Sequence, residues 1–272
     1  MKRGLLALGM LLALCTVAFG SGLDAFKGQK GDIAIAGGTA HIPVMEKAAR
    51  NIMTANPDIR ISVAGGGSGV GIQKVGEGLV AIGNSGRKAS EEEVAKYGLA
   101  MFAFAVDGVA TIVSPDNPVG GLTSDQVCRI YAGEITNWKD VGGKDAAINL
   151  YTRDEASGTR EVYWKKLLKK GTIAASANVV ASNGAMKTAV SRDPDGIGYA
   201  SIGYLDATVK APALDGVVPT QEAAKDGSYP VVRKLYMNTK GEPAGIVKAF
   251  VDYVMGPDCV QIIKDSGYIP LH

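Results

Sequence analysis

Short apolar runs in this chain give way repeatedly to glycine- and hydroxyl-rich turns that open a helix. The pattern is clearest at Thr152-Arg153-Asp154-Glu155-Ala156-Ser157-Gly158-Thr159-Arg160, between an apolar run at 148–151 and a helix-patterned run at 162–168. A helix start exposes backbone N–H groups without intrahelical partners, together with the positive end of the helix dipole. The Ser157 and Thr159 hydroxyls, the Gly158 N–H and the Arg153 guanidinium would converge there on an oxyanion. Glu155 is expected to hold Arg153 in one orientation, because a guanidinium in a dry pocket needs a second partner. An ordinary capped helix with a solvated arginine fits the same residues. The anion reading therefore depends on whether other junctions repeat the device.

They do. Residues 32–36 read as a buried strand that runs into Gly37-Gly38-Thr39-Ala40, then a helix over 42–53 with Pro43 in its first turn. A strand at 59–63 leads to Gly65-Gly66-Gly67-Ser68-Gly69-Val70-Gly71 and a short helix. A strand at 79–82 ends in Gly83-Asn84-Ser85-Gly86-Arg87, followed by a helix over 90–97 with Ser90 and Glu93 at capping-box spacing. Two apolar runs within 101–113 flank Asp107-Gly108, which reads as a crossover into a second lobe. There the sequence predicts a capped helix from Thr123 to Ala132, a turn at Ile135-Thr136-Asn137-Trp138 and a helix over 159–170. A strand over 178–181, a helix over 183–190 and a strand over 196–200 follow. A strand at 231–237 re-enters the first lobe, and helices over 244–254 and 259–264 finish it. Alternation of this kind means an α/β fold with mostly parallel sheets and flanking helices. The expected lobes are 24–105 plus 230–272, and 106–229, a division suited to 272 residues.

The N-terminus reads as a secretory leader over residues 1–20: Lys2 and Arg3, an uncharged apolar stretch, and Ala18-Phe19-Gly20 before Ser21. That stretch is too short and wrongly flanked for a membrane span. Leu12-Ala13-Leu14-Cys15 faintly resembles a lipobox, but Leu14 is too bulky before the cysteine, so soluble export to the periplasm is expected without a lipid anchor at Cys15. Loss of Lys2 and Arg3 takes 29 basic residues to 27, equal to the 27 acidic ones. A neutral mature chain argues against a nucleic-acid surface and leaves any anion to a local arrangement. Cys128 and Cys259 fall in different expected lobes, which favours two thiols over a bridge.

Other chemistries find little support. Residues 65–71 have no G-x-G-x-x-G register, and no Gly-Lys-Ser/Thr occurs. Neither Ser68 nor Ser85 has glycines two residues away on both sides, as a nucleophile elbow requires. With only His41 and His272, no C-x-x-C and no clustered carboxylates, no metal or other cofactor is expected. His41 reads as a partly solvated residue at a helix start, and Trp138 and Trp164 as packing residues. What remains is a set of loops rich in donors and poor in acceptors, suited to a small multivalent oxyanion.

The chain resembles the periplasmic phosphate-binding proteins of bacterial phosphate ABC importers, the PstS family within the type II solute-binding proteins. The resemblance spans nearly the whole mature chain, from Ala36-Gly37-Gly38-Thr39 to Ser266-Gly267-Tyr268-Ile269-Pro270-Leu271. It rests on Gly67-Ser68-Gly69-Val70-Gly71, Ile82-Gly83-Asn84-Ser85, Gly133-Glu134-Ile135-Thr136-Asn137-Trp138 and Ser157-Gly158-Thr159. It implies two α/β lobes joined by hinge strands, closing on dehydrated phosphate in the cleft between them, for delivery to a membrane permease by a monomeric receptor that is not an enzyme. The implied ligands are Thr39, Ala40, Ser68, Ser85, Arg153, Ser157, Gly158 and Thr159, with Gly69, Gly86 and Arg87 as further candidates and Glu155 positioning Arg153. The family often has an Asp after the Ser of the third loop, accepting the phosphate's proton; this chain has Gly86 there, and Ala81 where an acid is also frequent. That departure keeps sulfate, molybdate or tungstate open as alternative ligands, and an exported phosphoester hydrolase as a more distant reading.

Overall fold

The computed structural model describes residues 22–272, so the expected leader, its cleavage site and Cys15 lie outside the described residues. β1 (Gly31–Gly37) and β2 (Ile59–Gly66) pair in parallel, connected by α1 (Ile42–Ala55). α1 buries Val44, Met45, Ala48, Ala49 and Ile52, the spacing of a single helix face. α2 (Ser68–Gly76) leads to β3 (Ile82–Ser85), which pairs in parallel with β1 on its other side. α3 (Glu91–Tyr97) is entered through the capping box of Ser90 and Glu93. β4 (Leu99–Val113) then carries the chain into the second half.

That half contains β5 (Gly121–Leu122), α4 (Ser124–Ala132), β6 (Asn149–Arg153), α5 (Gly158–Lys166) and β7 (Asn178–Val180). It continues through α6 (Asn183–Ser191), β8 (Gly196–Ser201), β9 (Ala213–Leu214) and α7 (Gln221–Asp226). β10 (Val232–Lys240) returns, followed by α8 (Gly245–Met255), α9 (Val260–Asp265) and β11 (Ile269–Pro270). The main sheet runs β2-β1-β3-β10-β4-β8-β6-β7, with β11 added on β4. Pairing is parallel among β1, β2 and β3 and among β6, β7 and β8. It is antiparallel wherever β4 and β10 join these groups, so the sheet is more mixed than the alternation suggests.

Besides a small cluster of Ile72, Val75, Ala89 and Leu99, two large apolar cores lie on either side of those joining strands. One takes residues 26–105 and resumes over 235–268; the other takes residues 109–231. Trp138 is buried in the second core, and Trp164 packs against it half-buried.

Three expected elements differ. The third strand begins at Ile82 instead of residue 79, and Leu79 is 64% exposed. Its buried stretch, Ile82-Gly83-Asn84-Ser85, is mostly polar or small and carries no strong strand pattern. β4 passes through Asp107-Gly108 without a break, because Asp107 finds a buried partner across the ladder and has no need of a turn. α5 stops at Lys166, not 170: the Leu168 N–H folds back to the Tyr163 carbonyl, burying Leu167 and Leu168, and Lys169 and Lys170 adopt left-handed φ.

Both described cysteines are free thiols; Cys128 is half-buried on α4 and Cys259 fully buried before α9. Burial, reinforced by the Asp258 carboxylate, pushes the Cys259 thiol up to about 12. Since the thiolate is the reactive form, Cys259 should resist alkylation in the folded protein and react at once when it unfolds. Mass-spectrometric counting of iodoacetamide adducts before and after denaturation measures this, and rapid labelling of native Cys259 would contradict it.

Candidate anion-binding site

In an open α/β sheet, parallel strands deliver their loops to one crevice beyond their carboxyl ends. β1, β2 and β3 do so from the first half and β6 from the second, and their turns meet around one small, tightly packed cavity. Thr39 and Ala40 reach it after β1, Ser68 from the start of α2 and Gly86 after β3. Arg153, Ser157, Gly158 and Thr159 face them from the end of β6 and the start of α5. Contact between the halves is tight: a Cβ on Gly158 would lie 2.1 Å from Ser68 Oγ, so no side chain fits there.

Each of the four wall hydroxyls already accepts a hydrogen bond. Thr39 Oγ1 accepts from the Asn183 N–H and Nδ2, at 3.3 and 3.0 Å. Ser68 Oγ accepts from the Gly86 N–H at 2.9 Å, and Ser157 Oγ, capping α5, from the Arg160 N–H at 3.2 Å. Thr159 Oγ1 accepts from Arg233 Nη1 at 2.9 Å. A hydroxyl engaged in this way keeps its own proton to give. The wall is thereby biased toward donation.

Two buried guanidiniums add to the bias. Arg153 is only 2% exposed; its Nη2 donates to the Ala181 carbonyl at 2.9 Å, while Nε and Nη1 have no protein partner. Burial pulls its pKa below the ordinary arginine value; the Asp154 carboxylate opposes this and Arg233 adds to it. A guanidinium nevertheless stays charged in a protein, so burial leaves a cation in need of an anion. The second guanidinium, Arg233, is not among the residues that the loop chemistry singles out. It comes from β10, where it stands opposite Asp107 of β4 in register, with Nε and Nη2 each 2.8 Å from Asp107 Oδ2. Its signal in the sequence is parity: Arg233 shares the buried face of its strand with Leu235 and Met237. A lone arginine on an apolar strand face implies a buried partner.

Several expected roles fall elsewhere. Ser85 is buried behind the loop, donating to the Arg87 carbonyl at 2.8 Å and accepting from Asn238 Nδ2 at 2.9 Å, so its hydroxyl braces the turn. Arg87 sits at the rim. It forks onto Glu93 at 2.6 and 2.7 Å, and its Nε reaches Glu161 of α5 in the other half at 2.7 Å. Glu155 makes no bond to Arg153; the turn closed by the Ser157 N–H on the Asp154 carbonyl leaves it exposed. The Gly69 N–H donates across the cleft to the Ala156 carbonyl at 2.9 Å. Asn183 also escapes a reading of the loops: it ties Thr39 to the second half while its Oδ1 accepts from the Ser201 N–H at 3.1 Å.

His41 is fully buried on the cavity wall, not partly solvated. Its Nδ1 lies 3.1 Å from the Gly38 carbonyl, which can only accept, so the neutral ring carries its proton there. Burial, and secondarily the Arg233 charge, lower its pKa from 6.5 to about 3.

Comparison with known proteins gives a consistent picture. Residues 25–258 match the model of the PBP superfamily domain. The chain is 37% identical to the phosphate-binding protein PstS of Bacillus subtilis, over all of this chain and 95% of that protein. It is 27% identical to the PstS of Borreliella burgdorferi, over 87% of this chain and 89% of that one. Among solved structures it is similar to a phosphate-bound substrate-binding protein from Clostridium perfringens, with 33% identity, TM-score 0.84, and 89% and 100% of the two chains covered. An ABC-type phosphate transport receptor from Vibrio cholerae aligns at 33% identity and TM-score 0.71, covering 87% of this chain and 99% of its own.

The lowered His41 pKa has a measurable consequence. The unfolded chain takes up this proton near pH 6.5 and the folded one only near pH 3. The contribution to stability is therefore complete above pH 6.5 and lost as pH falls through that window. The slope is about 1.4 kcal/mol per pH unit. Urea unfolding of the native protein and His41→Gln between these limits should differ in pH slope by about that amount. The raised pKa of buried Asp107 acts in both proteins and cancels; equal slopes would mean that the folded ring is protonated.

Proposed function

Because the chain belongs to the PstS family of phosphate-binding proteins within the PBP superfamily, we propose that it is an exported receptor that captures inorganic phosphate and hands it to the permease of a phosphate ABC importer. Its family is one of solute-binding receptors, and the reading assigns it no chemistry of its own. The observation that carries the proposal is the pair of buried guanidiniums, Arg153 with two nitrogens lacking a protein partner, facing hydroxyls already committed as acceptors. A tetrahedral anion resolves both conditions at once: it accepts in several directions and neutralises buried charge.

In this reading Arg153, Thr39, Ser68, Ser157, Thr159 and the N–H groups at Ala40 and Gly158 bind the phosphate. Gly86 packs beside them, Ser85 braces their loop, and Arg87 acts from the rim. Capture requires the halves to part and close, with β4 and β10 as the hinge. Closure forms the contacts of Gly69 with Ala156, Thr39 with Asn183, Tyr204 Oη with the Thr39 carbonyl, and Arg87 with Glu161. Delivery to a permease then requires these contacts to break together.

Arg153→Ala should weaken phosphate binding by roughly a hundredfold or more, since it removes several charge-assisted hydrogen bonds from a buried dianion. Isothermal titration of ligand-stripped mature protein measures this; wild-type affinity in the variant would remove Arg153 from the site. Arg87→Ala should leave the association rate nearly unchanged and speed release about two- to fivefold, the scale of a half-exposed ion pair. Stopped-flow displacement reads the two rates separately, and unaltered release would show that the rim bridge does not hold the cleft shut.

A further inference from the structure

We infer that Arg233, held against Asp107 on the neighbouring hinge strand, is a second anion-contacting guanidinium and determines which anions the cavity accepts: it places donors where a side chain at position 86 would otherwise stand, so that the site does not read a bound proton. The inference deepens the phosphate-receptor reading and rests on it.

The first observation is steric. A Cβ built on Gly86 would lie 2.6 Å from Arg233 Nη1 and 3.0 Å from its Cζ. The guanidinium fills the room that any residue-86 side chain needs, and a carboxylate cannot enter the cavity from this loop while Arg233 keeps its place. The second observation is how firmly it is kept. Asp107 lies opposite it in the ladder and takes its Nε, while Ser201 Oγ donates to the other Asp107 oxygen at 2.8 Å. Nη1 spans the cleft to Thr159, and Nη2, though close to Asp107, forms no aligned hydrogen bond.

The third observation is the polarity of the wall. The charged and titratable groups around Arg233 are Asp107 on β4, Arg153 on β6, His41 before α1 and Tyr268 before β11. Asp107 stands behind the guanidinium and not on the wall, and among the described residues the wall holds no carboxylate. Thr39 and Thr159 each already accept two hydrogen bonds and Ser68 and Ser157 one, which biases these hydroxyls toward meeting a ligand oxygen as donors. A protonated ligand oxygen would oppose donor to donor, which is unfavourable in a dry site. Sulfate meets this wall without conflict, and phosphate opposes one donor fewer as the dianion, which keeps one proton, than as the monoanion, which keeps two. A carboxylate on the wall would have imposed the reverse rule, rejecting unprotonated sulfate by repulsion.

Two consequences separate this arrangement from a proton-reading site. Phosphate affinity should rise several-fold as phosphate passes from monoanion to dianion, whereas sulfate, which has no such step, should bind with a flat pH profile. The experiment is isothermal titration of the ligand-stripped mature protein with phosphate and with sulfate at about pH 6 and about pH 8. It is repeated on Arg233→Gln and on the double variant Arg233→Gln/Asp107→Asn. The double variant is needed because Arg233→Gln alone strands a buried carboxylate, and thermal melting verifies its fold. We expect both anions to bind the native protein and both to bind the folded double variant roughly tenfold to a hundredfold more weakly. Tight phosphate binding with sulfate silent would overturn the inference while leaving the receptor reading intact. So would a folded double variant that binds like the native protein. Should the double variant fail to fold, the native pH and sulfate profiles decide alone. Failure of the native protein to bind either anion would instead sink the phosphate reading itself.

Discussion

A buried ion pair sits at the seam between two apolar cores. Asp107 and Arg233 face each other on the two strands that cross between the halves, at the point where the core of residues 26–105 and 235–268 gives way to that of residues 109–231. Charges so deep are tolerable only when paired and fully hydrogen-bonded. Ser201 and Thr159 supply further partners from the second half, although Arg233 Nη2 makes no aligned hydrogen bond. Burial pushes the Asp107 pKa up and the Arg233 charge pulls it back, so the carboxylate depends on the guanidinium for its ionisation. The pair thus lies on the strands that cross between the halves, and one of its members looks into the cavity.

The same accounting of polar groups explains how the cavity is built. Loops of the first half contribute hydroxyls whose lone pairs are taken by the Asn183 amide and by the backbone of Gly86. The second half contributes the start of α5 and the Arg153 guanidinium, fixed by a single bond to the Ala181 carbonyl. Preorganisation of this kind lowers the entropy cost of gathering donors around a ligand. Several of these bonds cross between the halves and exist only when those halves are together. Rim contacts such as Arg87 with Glu161 add modestly, being partly solvated.

Much of this is legible in the order of the amino acids. Turns that place Thr39, Ser68 and Ser157-Gly158-Thr159 at helix starts announce themselves by local chemistry, since a capping hydroxyl and a glycine act within a few residues of their own position. The capping boxes at Ser90 and Thr123 are read the same way. The differences share a cause: each depends on what a residue meets far along the chain. Leu79 has the pattern of a strand and is solvent-exposed, whereas the less apolar Gly83-Asn84-Ser85 is the buried ladder, because β1 and β10 flank it. Proximity in sequence makes Glu155 the arginine's natural partner, yet its turn directs it outward and a carbonyl 28 residues away does the holding. Arg87 has the charge and the position of a ligand and is drawn to Glu93 and Glu161 instead.

By itself the sequence determined the alternation of strands and helices, the division of the apolar residues, and the donors that each junction presents, because periodicity, capping and turn chemistry are local. Only the tertiary structure decided which donors share one cavity, that Ser85 turns its hydroxyl away, that His41 is buried and neutral, and that Arg233 enters beside Gly86. Those outcomes depend on burial and on pairings across more than a hundred residues, such as Asp107 with Arg233. Electrostatic energy in a dry interior is set by distance in space, which no local pattern encodes.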